Sequence, residues 1–458
     1  MKKTVIKISL YALTIISLII IWAVNGSLSM TRIGAAIGGI IVGCGLIWLS
    51  DKYDFMVIRA ITDTKIGGMT VGELIILMLI VVFSILVRFK MLSYESEDFI
   101  IYNGRWVDQI REIGWHSFGC NISNYSPLYV DIMILLSMTG LSRILVVKML
   151  PMLFDYALGA ACVKLFEYCT PGVNVLRKIL IFGLIILNPV IVLNSSAWGQ
   201  CDSIYSFFIV MSLYAMIKAF KDERYSAEYV FIYFAIAFAL KLQAVFFLPV
   251  LMLCVFVQKK RKFQISQFVY IPIIYLAPAI PMLIEGKSLK DVILVYFSQT
   301  GQYSSNLSMR YYNFFSFIGQ AGELTEGYFV MGVVLAATVL GLIFYKIISD
   351  RINLSGKSML FITCLTIMVL TFFLPSMHER YAYAGEIVLI ILAVMDRRAV
   401  PAAAGIAICS LISYSEYLSG GTFAISQIGS ILIALTRLVV ILYLINESFK
   451  GRAVQEEI

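Results

Sequence analysis

Long apolar runs recur along the whole chain, and they constrain its fold more than any other feature. A helix that crosses the hydrocarbon core of a bilayer must satisfy its own backbone polar groups over about 30 Å, which takes about 20 mostly apolar residues. Fourteen runs approach this length, but several are short, so the sequence predicts roughly 12–14 transmembrane helices. The runs cover approximately residues 8–24, 33–49, 71–89, 144–166, 179–193, 203–219, 228–240, 244–257, 268–284, 328–348, 358–374, 384–395, 400–416 and 424–445.

Composition excludes a soluble chain. Of the 458 residues, 60% are hydrophobic and 14% are charged, whereas soluble globular proteins carry about 25% charged residues. So few charged residues cannot supply the polar surface that a soluble protein of this size needs. A cytoplasmic enzyme, a secreted disulfide scaffold and a disordered chain are therefore excluded. We therefore predict an all-α polytopic membrane protein that has the lipid bilayer as a partner.

Charge and cysteine usage narrow the other partners. The formal net charge is +8, but the basic residues lie between apolar runs, as in cytoplasmic loops, and do not form one basic face. Nucleic acid is therefore not predicted as a partner. The 8 cysteines form no CxxC pair and no His–Cys spacing, so no metal site is predicted.

The positions of Lys and Arg set the predicted orientation. With the N-terminus inside, most of the 36 basic side chains are cytoplasmic, as the positive-inside rule requires. Both termini are then cytoplasmic in the plasma membrane. The run 129–141 is too short to span and carries Asp131, so we expect it to be a helix along the external interface. The predicted single membrane domain, 1–458, comprises N-terminal helices 1–89, a first external loop 90–143, a core 144–383 with a second external loop 285–327, and C-terminal helices 384–458.

The first external loop carries the candidate base. Glu97 and Asp98 follow a span directly, and a carboxylate fixed at a helix end beside an aromatic loop can take a proton from a substrate hydroxyl. A solvated acidic loop is the alternative. Further along, His116, Asn124 and Tyr125 are candidate substrate contacts, although Asn124 and Tyr125 could form only the turn that starts the interfacial helix.

A short external turn, 194–202, and the apex of a later helical hairpin are also polar. Trp198, Gln200 and Asp202 offer the stacking, amide and carboxylate contacts that are typical of a sugar site. Asp202 is also a good N-cap residue, and that structural role is its alternative. Lys241 interrupts an apolar run, followed by Gln243. It either extends its ammonium group to the interface or binds the phosphate of a lipid carrier.

The second long loop and the last external turn, 375–383, complete the candidates. Tyr303, Ser304 and Arg310 supply hydroxyls and a guanidinium that suit a polar, sugar-sized ligand; a disordered loop is the alternative. No HExxH, P-loop, GxGxxG or GxSxG motif occurs, so metalloprotease, nucleotide-triphosphate and serine hydrolase functions lack support. The last turn places three polar side chains together: His378, Glu379 and Arg380.

Four motifs occur in a fixed order between about residues 95 and 383. They are Asn121-x-x-Asn124-Tyr125-x-Pro127-x-Tyr129, Trp198-Gly199-Gln200-Cys201-Asp202, Lys241-Leu242-Gln243 and Met377-His378-Glu379-Arg380-Tyr381. Together they resemble the bacterial membrane proteins related to the eukaryotic second GPI mannosyltransferase, which belong to the GT-C glycosyltransferases.

The resemblance implies a GT-C-like helical bundle that transfers a sugar from a polyprenyl-phosphate donor to a glycan or glycolipid of the cell envelope, at the external face and without a cofactor or metal. It implies Asp98 as the general base, with Glu97 as its substitute. Lys241, Arg310 and Arg380 would neutralise the carrier phosphate. The candidate substrate contacts are His116, Asn124, Tyr125, Trp198, Gln200, Asp202, Gln243, Tyr303, Ser304, His378 and Glu379.

Two departures limit what the resemblance says about the substrate. Ser126-Pro127 stands where the family commonly has two prolines. The segment 308–313 stands where the family has a run resembling Thr-Leu-Asn-Ala-Pro-Asn. Neither the sugar nor the acceptor is therefore identified by the sequence.

Two other functions stay open from the sequence. A transporter or flippase of lipid-linked oligosaccharides would carry ionisable or broken-helix sites near the bilayer midplane, whereas the polar residues here gather at one face, apart from Arg437 in the last run. A polysaccharide polymerase is the other alternative. It would carry Arg-rich external loops, whereas the external segments here hold few arginines: three in 90–143, one in 285–327, one in 375–383 and none in 194–202.

Overall fold

The computed structural model describes most of the chain from residue 65 onward, namely residues 65–66, 68–258, 262–302, 306–318, 325–352, 354, 356–420 and 422–450. Two predicted spans, 8–24 and 33–49, lie outside the described residues, as do the candidate side chains Tyr303 and Ser304. All the other candidate site residues are described.

Helices make up nearly all the regular structure up to residue 257. Short 3-10 helices cover Gly114–Gly119 and Leu242–Phe247, and π-helical turns cover Phe99–Asn103 and Leu193–Trp198. The strands and α-helices are β1 (Lys65–Ile66) and β2 (Met69–Thr70), which pair antiparallel, followed by α1 (Val71–Met91), α2 (Gly104–Ile113), α3 (Pro127–Ser137), α4 (Arg143–Cys169), α5 (Val175–Ile186), α6 (Pro189–Val192), α7 (Asp202–Lys221), α8 (Glu228–Leu240) and α9 (Leu248–Val257).

The second half of the described chain is also helical. Two short strands, β3 (Ser308–Met309) and β4 (Met377–His378), pair in parallel although about 70 residues separate them. Short 3-10 helices cover Ile265–Val269, Ala277–Ala279, Phe314–Phe317 and Arg397–Ala399. The α-helices are α10 (Tyr270–Leu276), α11 (Ile280–Ile284), α12 (Leu289–Gln302), α13 (Glu326–Ser349), α14 (Lys357–Phe373), α15 (Tyr383–Met395), α16 (Val400–Leu418) and α17 (Gln427–Ser448).

Every predicted span that falls in the described part coincides with helical structure. Among the described residues, 7 helices are long and apolar enough to cross a membrane, and α5 with Pro189–Trp198, bent by 45°, gives an eighth if counted as one span. The chain is therefore a nearly all-α, multi-pass membrane protein. The total of 12–14 spans stays a prediction, because four predicted spans form shorter apolar helices: Glu228–Leu240, Leu242–Val257, Lys357–Phe373 and Tyr383–Met395.

The helices differ in how much of their surface the protein itself covers. In its most apolar window, α1 is 11% buried, whereas α7 is 72% buried. Helix α7 packs against α4 and α8, and α14 packs against α15 and α17. Large apolar side chains such as Phe89 on α1 and Phe329 on α13 stay exposed. Exposed apolar surface of this kind suits contact with lipid.

The segment predicted as the second external loop, 285–327, contains a helix, α12, that the sequence analysis did not predict. Val292, Val295 and Tyr296 lie three and four residues apart, so that they share one helical face, and they pack against a small apolar cluster with Tyr275. The Tyr275 hydroxyl donates a hydrogen bond to the carbonyl of Val292 at 3.1 Å. This packed face stabilises the helix, although Leu289, Ile293 and Phe297 of the same helix are apolar and stay exposed.

Helix α3, Pro127–Ser137, overlaps the run 129–141 for which we predicted an interfacial helix. Pro127 at its first turn lacks an N–H that would have no intrahelical partner there. The Ser126 hydroxyl donates to the carbonyl of Ala239 at 2.7 Å, which joins the start of α3 to the end of α8. Its position along the membrane interface stays a prediction.

A buried ion pair links three helical segments. The Arg88 guanidinium donates to Asp155 at 2.7 Å and to the carbonyl of Ile186, also at 2.7 Å. The Ser195 hydroxyl donates to the same Asp155 oxygen at 2.6 Å. Both charged side chains are almost completely buried. The pair therefore fixes α1 against α4 and against the turn that follows α6.

Replacing Asp155 with Ala should strongly destabilise the protein, because Arg88 would remain buried without its counter-charge. We expect a loss of about 3–5 kcal/mol in the free energy of unfolding, measured by denaturation in mixed micelles. The double variant Arg88→Met with Asp155→Leu should recover most of this loss. Equal destabilisation in the single and double variants would show that the pair is not what holds these segments.

Candidate functional site

Five segments that are distant in the sequence meet at one end of the helical bundle. They are the residues after α1, the π-helical turn before α7, the break between α8 and the following 3-10 helix, the turn after β4 and the end of α16. We call the side chains that meet there the polar cluster: Asp98, Asn194, Trp198, Gln200, Asp202, Lys241, Arg380, Tyr414 and Tyr417.

Asp98 is half-buried and is held by uncharged donors. The Trp198 indole N–H and the Gln200 amide both donate to its Oδ2, at 2.8 and 2.9 Å. The backbone N–H of Asp98 donates to the Tyr417 hydroxyl at 3.0 Å. These bonds orient the carboxylate without placing a cation directly on it. Glu97, its neighbour, is exposed.

The backbone between α6 and α7 places Trp198 and Gln200 side by side. The chain makes a π-helical turn that ends at Gly199, which has a φ of 79°. Glycine adopts this left-handed conformation without the steric cost that a side chain would add. The Gln200 N–H then donates to the carbonyl of Asn194 at 2.9 Å, closing the turn.

Asp202 is the buried counter-ion of the polar cluster. It is 0% exposed. Its Oδ1 accepts from the Lys241 ammonium at 2.5 Å, and its Oδ2 accepts from the Asn194 amide at 2.8 Å. The Arg380 Nε lies 3.6 Å from Oδ2. Asp202 therefore holds cations and has no exposed surface for a sugar.

Both structural alternatives for this pair were wrong. Cys201 occupies the N-cap position of α7, and Asp202 makes no capping hydrogen bond there. Lys241 is 4% exposed, so its ammonium group turns inward to Asp202 and does not extend to an interface. The α8 helix ends at this residue, where the backbone becomes extended.

Arg380 lies beside Trp198 with donors to spare. Its guanidinium carbon is 5.2 Å from the centre of a Trp198 ring. Its Nε and Nη1 have no hydrogen-bond partner within the described part of the chain. Burial disfavours its charge, but Asp202, Tyr125 and Asp98 outweigh burial and keep the pKa of Arg380 above its ordinary value. A guanidinium with open donors suits an anionic ligand.

The parallel pairing of β3 and β4 brings the second long loop to this site. Arg310 pairs with His378 through the backbone, and its φ is 61°. Its guanidinium carbon lies 5.4 Å from the Tyr417 ring centre. His378 Nδ1 is 3.8 Å from Glu379, which is buried. Arg310, His378 and Glu379 thus lie at the edge of the polar cluster.

Two tyrosines of α16 belong to the site but were missed by sequence analysis. Tyr417 stacks on Trp198, with ring centres 4.1 Å apart and planes 14° from parallel. The Tyr414 hydroxyl accepts from the Asn194 amide at 3.1 Å. The two tyrosines are three residues apart near the end of an apolar run, a spacing that puts them on one helical face. Two tyrosines on one face at the end of this apolar run were the sequence signal that could have indicated them.

The remaining candidates lie outside the polar cluster. His116 is 84% exposed in its side chain and pairs with Glu285 at 2.8 Å. Gln243 is buried in the 3-10 helix after Lys241. Asn124 and Tyr125 line a separate cavity, which the Tyr125 hydroxyl joins to the cluster by donating to Gln200 at 3.3 Å. Within the described residues, no group of three or more His, Cys, Asp or Glu side chains could hold a metal ion.

No known family model matches the chain, and no curated protein matches it either. The GT-C resemblance therefore rests on the four motifs alone.

The Lys241–Asp202 pair should be strongly coupled. Replacing Lys241 with Met leaves a buried carboxylate with less compensating charge, so we expect a loss of about 3–5 kcal/mol in the free energy of unfolding. The double variant Lys241→Met with Asp202→Asn should lose less stability than Lys241→Met alone. Its loss should also be smaller than the sum of the losses in the two single variants. Strictly additive effects in this double-mutant cycle would exclude the coupling.

Stability should also fall as the pH falls below about 6.5. Burial lowers the pKa of His378, with Glu379 opposing the shift and Arg380 adding to it. The folded state therefore keeps the imidazole neutral, while the unfolded state takes up a proton near its ordinary pKa. The stabilisation is present above that pKa and is lost as the pH drops toward the folded-state value. Thermal unfolding from pH 7.5 to 5 should be less pH-dependent in His378→Gln; an unchanged slope would contradict this.

Proposed function

We propose that the protein is a GT-C-type glycosyltransferase. It moves a sugar from a polyprenyl-phosphate donor to a glycan or glycolipid acceptor at the external face of the plasma membrane. The carboxylate of Asp98 carries this proposal. It is half-buried, oriented by Trp198 and Gln200, and lies beside the open donors of Arg380. A base next to a cation is what transfer from a phosphate-linked sugar needs.

The two carboxylates of the polar cluster have different surroundings, which supports different roles. Asp202 is buried and engaged by Lys241 and Asn194, so it is committed to holding structure. Asp98 accepts only neutral donors at Oδ2 and remains half-exposed. A half-exposed carboxylate is within reach of a substrate hydroxyl, whereas a fully buried one is not. We assign the general base to Asp98 and keep Glu97 as its substitute.

The cations also separate into two roles. Lys241 is bound to Asp202 and positions that carboxylate, so it is not assigned to direct phosphate contact. Arg380 has no hydrogen-bond partner for Nε and Nη1 in the described chain, and its contact with Asp202 is longer, at 3.6 Å. It is therefore assigned to the donor phosphate. Arg310 lies 5.4 Å from the Tyr417 ring, which stacks on Trp198, and is its proposed helper.

The proposed reaction is an in-line displacement that inverts the anomeric carbon. The acceptor oxygen forms a new bond to that carbon while the bond to the phosphate oxygen breaks. The hydroxyl proton passes to Asp98, and the electron pair leaves with the polyprenyl phosphate. Arg380 stabilises the negative charge that develops there. The sugar is already activated by its phosphate, so the mechanism includes no cofactor.

The bilayer would supply the donor. The seven described helices that are long enough to span provide the apolar surroundings for a polyprenyl chain, and the polar cluster lies at the end of the bundle where its headgroup would sit. Tyr417, which is half-buried, would contact the sugar. The buried Trp198 stacks on Tyr417 and holds Asp98, so it links sugar binding to the orientation of the base.

A transporter or flippase for lipid-linked oligosaccharides is the second candidate. The buried Arg88–Asp155 pair and the 45° bend between α5 and Pro189–Trp198 favour it, because transporters use broken helices and charged residues inside the membrane. The Ser195 hydrogen bond to Asp155, however, connects that ion pair to the turn that carries the polar cluster. The pair would therefore support the site of a transferase equally well.

Asp98→Asn should reduce sugar transfer by about 10²- to 10⁴-fold, because the amide cannot accept the proton. The assay uses purified protein with a panel of polyprenyl-phosphate sugars, with and without EDTA. Glu112→Gln, at an exposed position of α2, is the matched control and should keep full activity. Glu97→Gln tests the substitute base.

Full transfer by Asp98→Asn would remove this residue from catalysis. A loss in Glu97→Gln instead would move the role to its neighbour. If no donor supports transfer but the protein moves a lipid-linked oligosaccharide across vesicle membranes, the flippase function would be supported and the transferase function would not.

A further inference from the structure

We propose that the cavity between the first long loop and α12 binds an uncharged sugar unit of the acceptor. This inference rests on the transferase proposed above and names the acceptor chemistry. The cavity has a volume of about 450 Å³, within the roughly 300–1,000 Å³ that is usual for small-molecule sites. It lies outside the polar cluster but touches it.

One wall of the cavity is aromatic. Tyr102, Trp106 and Tyr125 form a continuous series, with ring centres 5.9 Å apart for the first pair and 5.7 Å for the second. Trp106 is buried in the protein except at this wall. Flat aromatic faces provide apolar contact for the carbon face of a sugar ring, while the Tyr hydroxyls and the indole N–H provide polar contacts.

The opposite walls offer neutral hydrogen-bonding groups. Asn121, Ser123 and Asn124 contribute from the first loop, and Ser298 contributes from α12. Amides and hydroxyls both donate and accept, which matches the mixed donor and acceptor character of sugar hydroxyls. The Gln299 amide donates to the carbonyl of Asn124, so the two walls are held together at this point.

The charges that line the cavity cancel within the described part of the chain. Among those residues, Lys287 and Asp291 are the two charged ones in its lining. The Lys287 ammonium donates to the carbonyl of Cys120 at 3.3 Å. Burial lowers the pKa of Lys287, with Asp291 opposing the shift. A lining without net charge suits an uncharged sugar, in contrast to the polar cluster, where Arg380 suits a phosphate.

The position of the cavity assigns it to the acceptor. Tyr125 lines the cavity and donates to Gln200 at 3.3 Å, and Gln200 donates to Asp98 at 2.9 Å. A sugar in the cavity is therefore separated from the proposed base by this short chain of side chains. The donor phosphate would lie on the Arg380 side of Trp198. The two substrates then approach the base from different directions.

Binding of free sugars to the protein in lipid nanodiscs tests the cavity without requiring turnover. The probes are the methyl glycosides of glucose, galactose and mannose, with methyl glucuronide as the charged counterpart. Saturation-transfer NMR measures binding, and quenching of tryptophan fluorescence reports the Trp106 wall. The double variant Asn121→Leu with Ser298→Leu should weaken binding at least about tenfold, as expected for two lost hydrogen bonds. Thr139→Leu, exposed and outside the lining, is the matched control.

At least one neutral glycoside should bind saturably, more tightly than the glucuronide, and Asp98→Asn should bind it like the wild type. Unchanged binding in the cavity variant, equal binding of the charged sugar or no saturable binding would overturn the acceptor site. The transferase proposal is tested separately from the sugar site. If no donor supports transfer but the cavity variant still loses glycoside binding, the sugar site is supported and the transferase reaction is not.

Discussion

Asp202 is fully buried, and its carboxylate is bound by the Lys241 ammonium at 2.5 Å and the Asn194 amide at 2.8 Å, with Arg380 3.6 Å away. A charge removed from water is costly unless it is paired and hydrogen-bonded. Its partners come from the turn before α7, the break after α8 and the turn after β4. Satisfying this one carboxylate therefore requires all three segments to meet, and the rest of the site is built on that meeting.

A second buried network supports the first. Asp155 binds Arg88 and the Ser195 hydroxyl, and Ser195 is the neighbour of Asn194, which binds Asp202. The π-helical turn Leu193–Trp198 is therefore bonded in two directions. Ser195 binds Asp155 of α4, and Asn194 binds Asp202 in the polar cluster. This arrangement explains how Trp198 can be held firmly enough to orient Asp98 and still present a ring face to Tyr417.

Much of the architecture was predictable from local pattern. A helix inside a bilayer satisfies its own backbone, so each apolar run could be assigned to a helix without knowing its neighbours. Helix α12 was not predicted, because Val292 and Tyr296 gain part of their packing from Ala239, which is distant in the sequence. The structure brings Asp98, Trp198 and Arg380 together, whereas Tyr414 and Tyr417 were passed over as the end of a span.

The sequence alone determined the class of protein and the candidate chemistry, because hydrophobicity and residue type are local properties. It could not decide which partner each charged side chain takes. Lys241 was predicted to reach an interface or to bind a phosphate, and only the folded chain placed it on Asp202. The same holds for the cavity beside Tyr125, whose walls come from segments more than 150 residues apart. Pairing and enclosure depend on distances between remote segments, and those distances exist only in the tertiary structure.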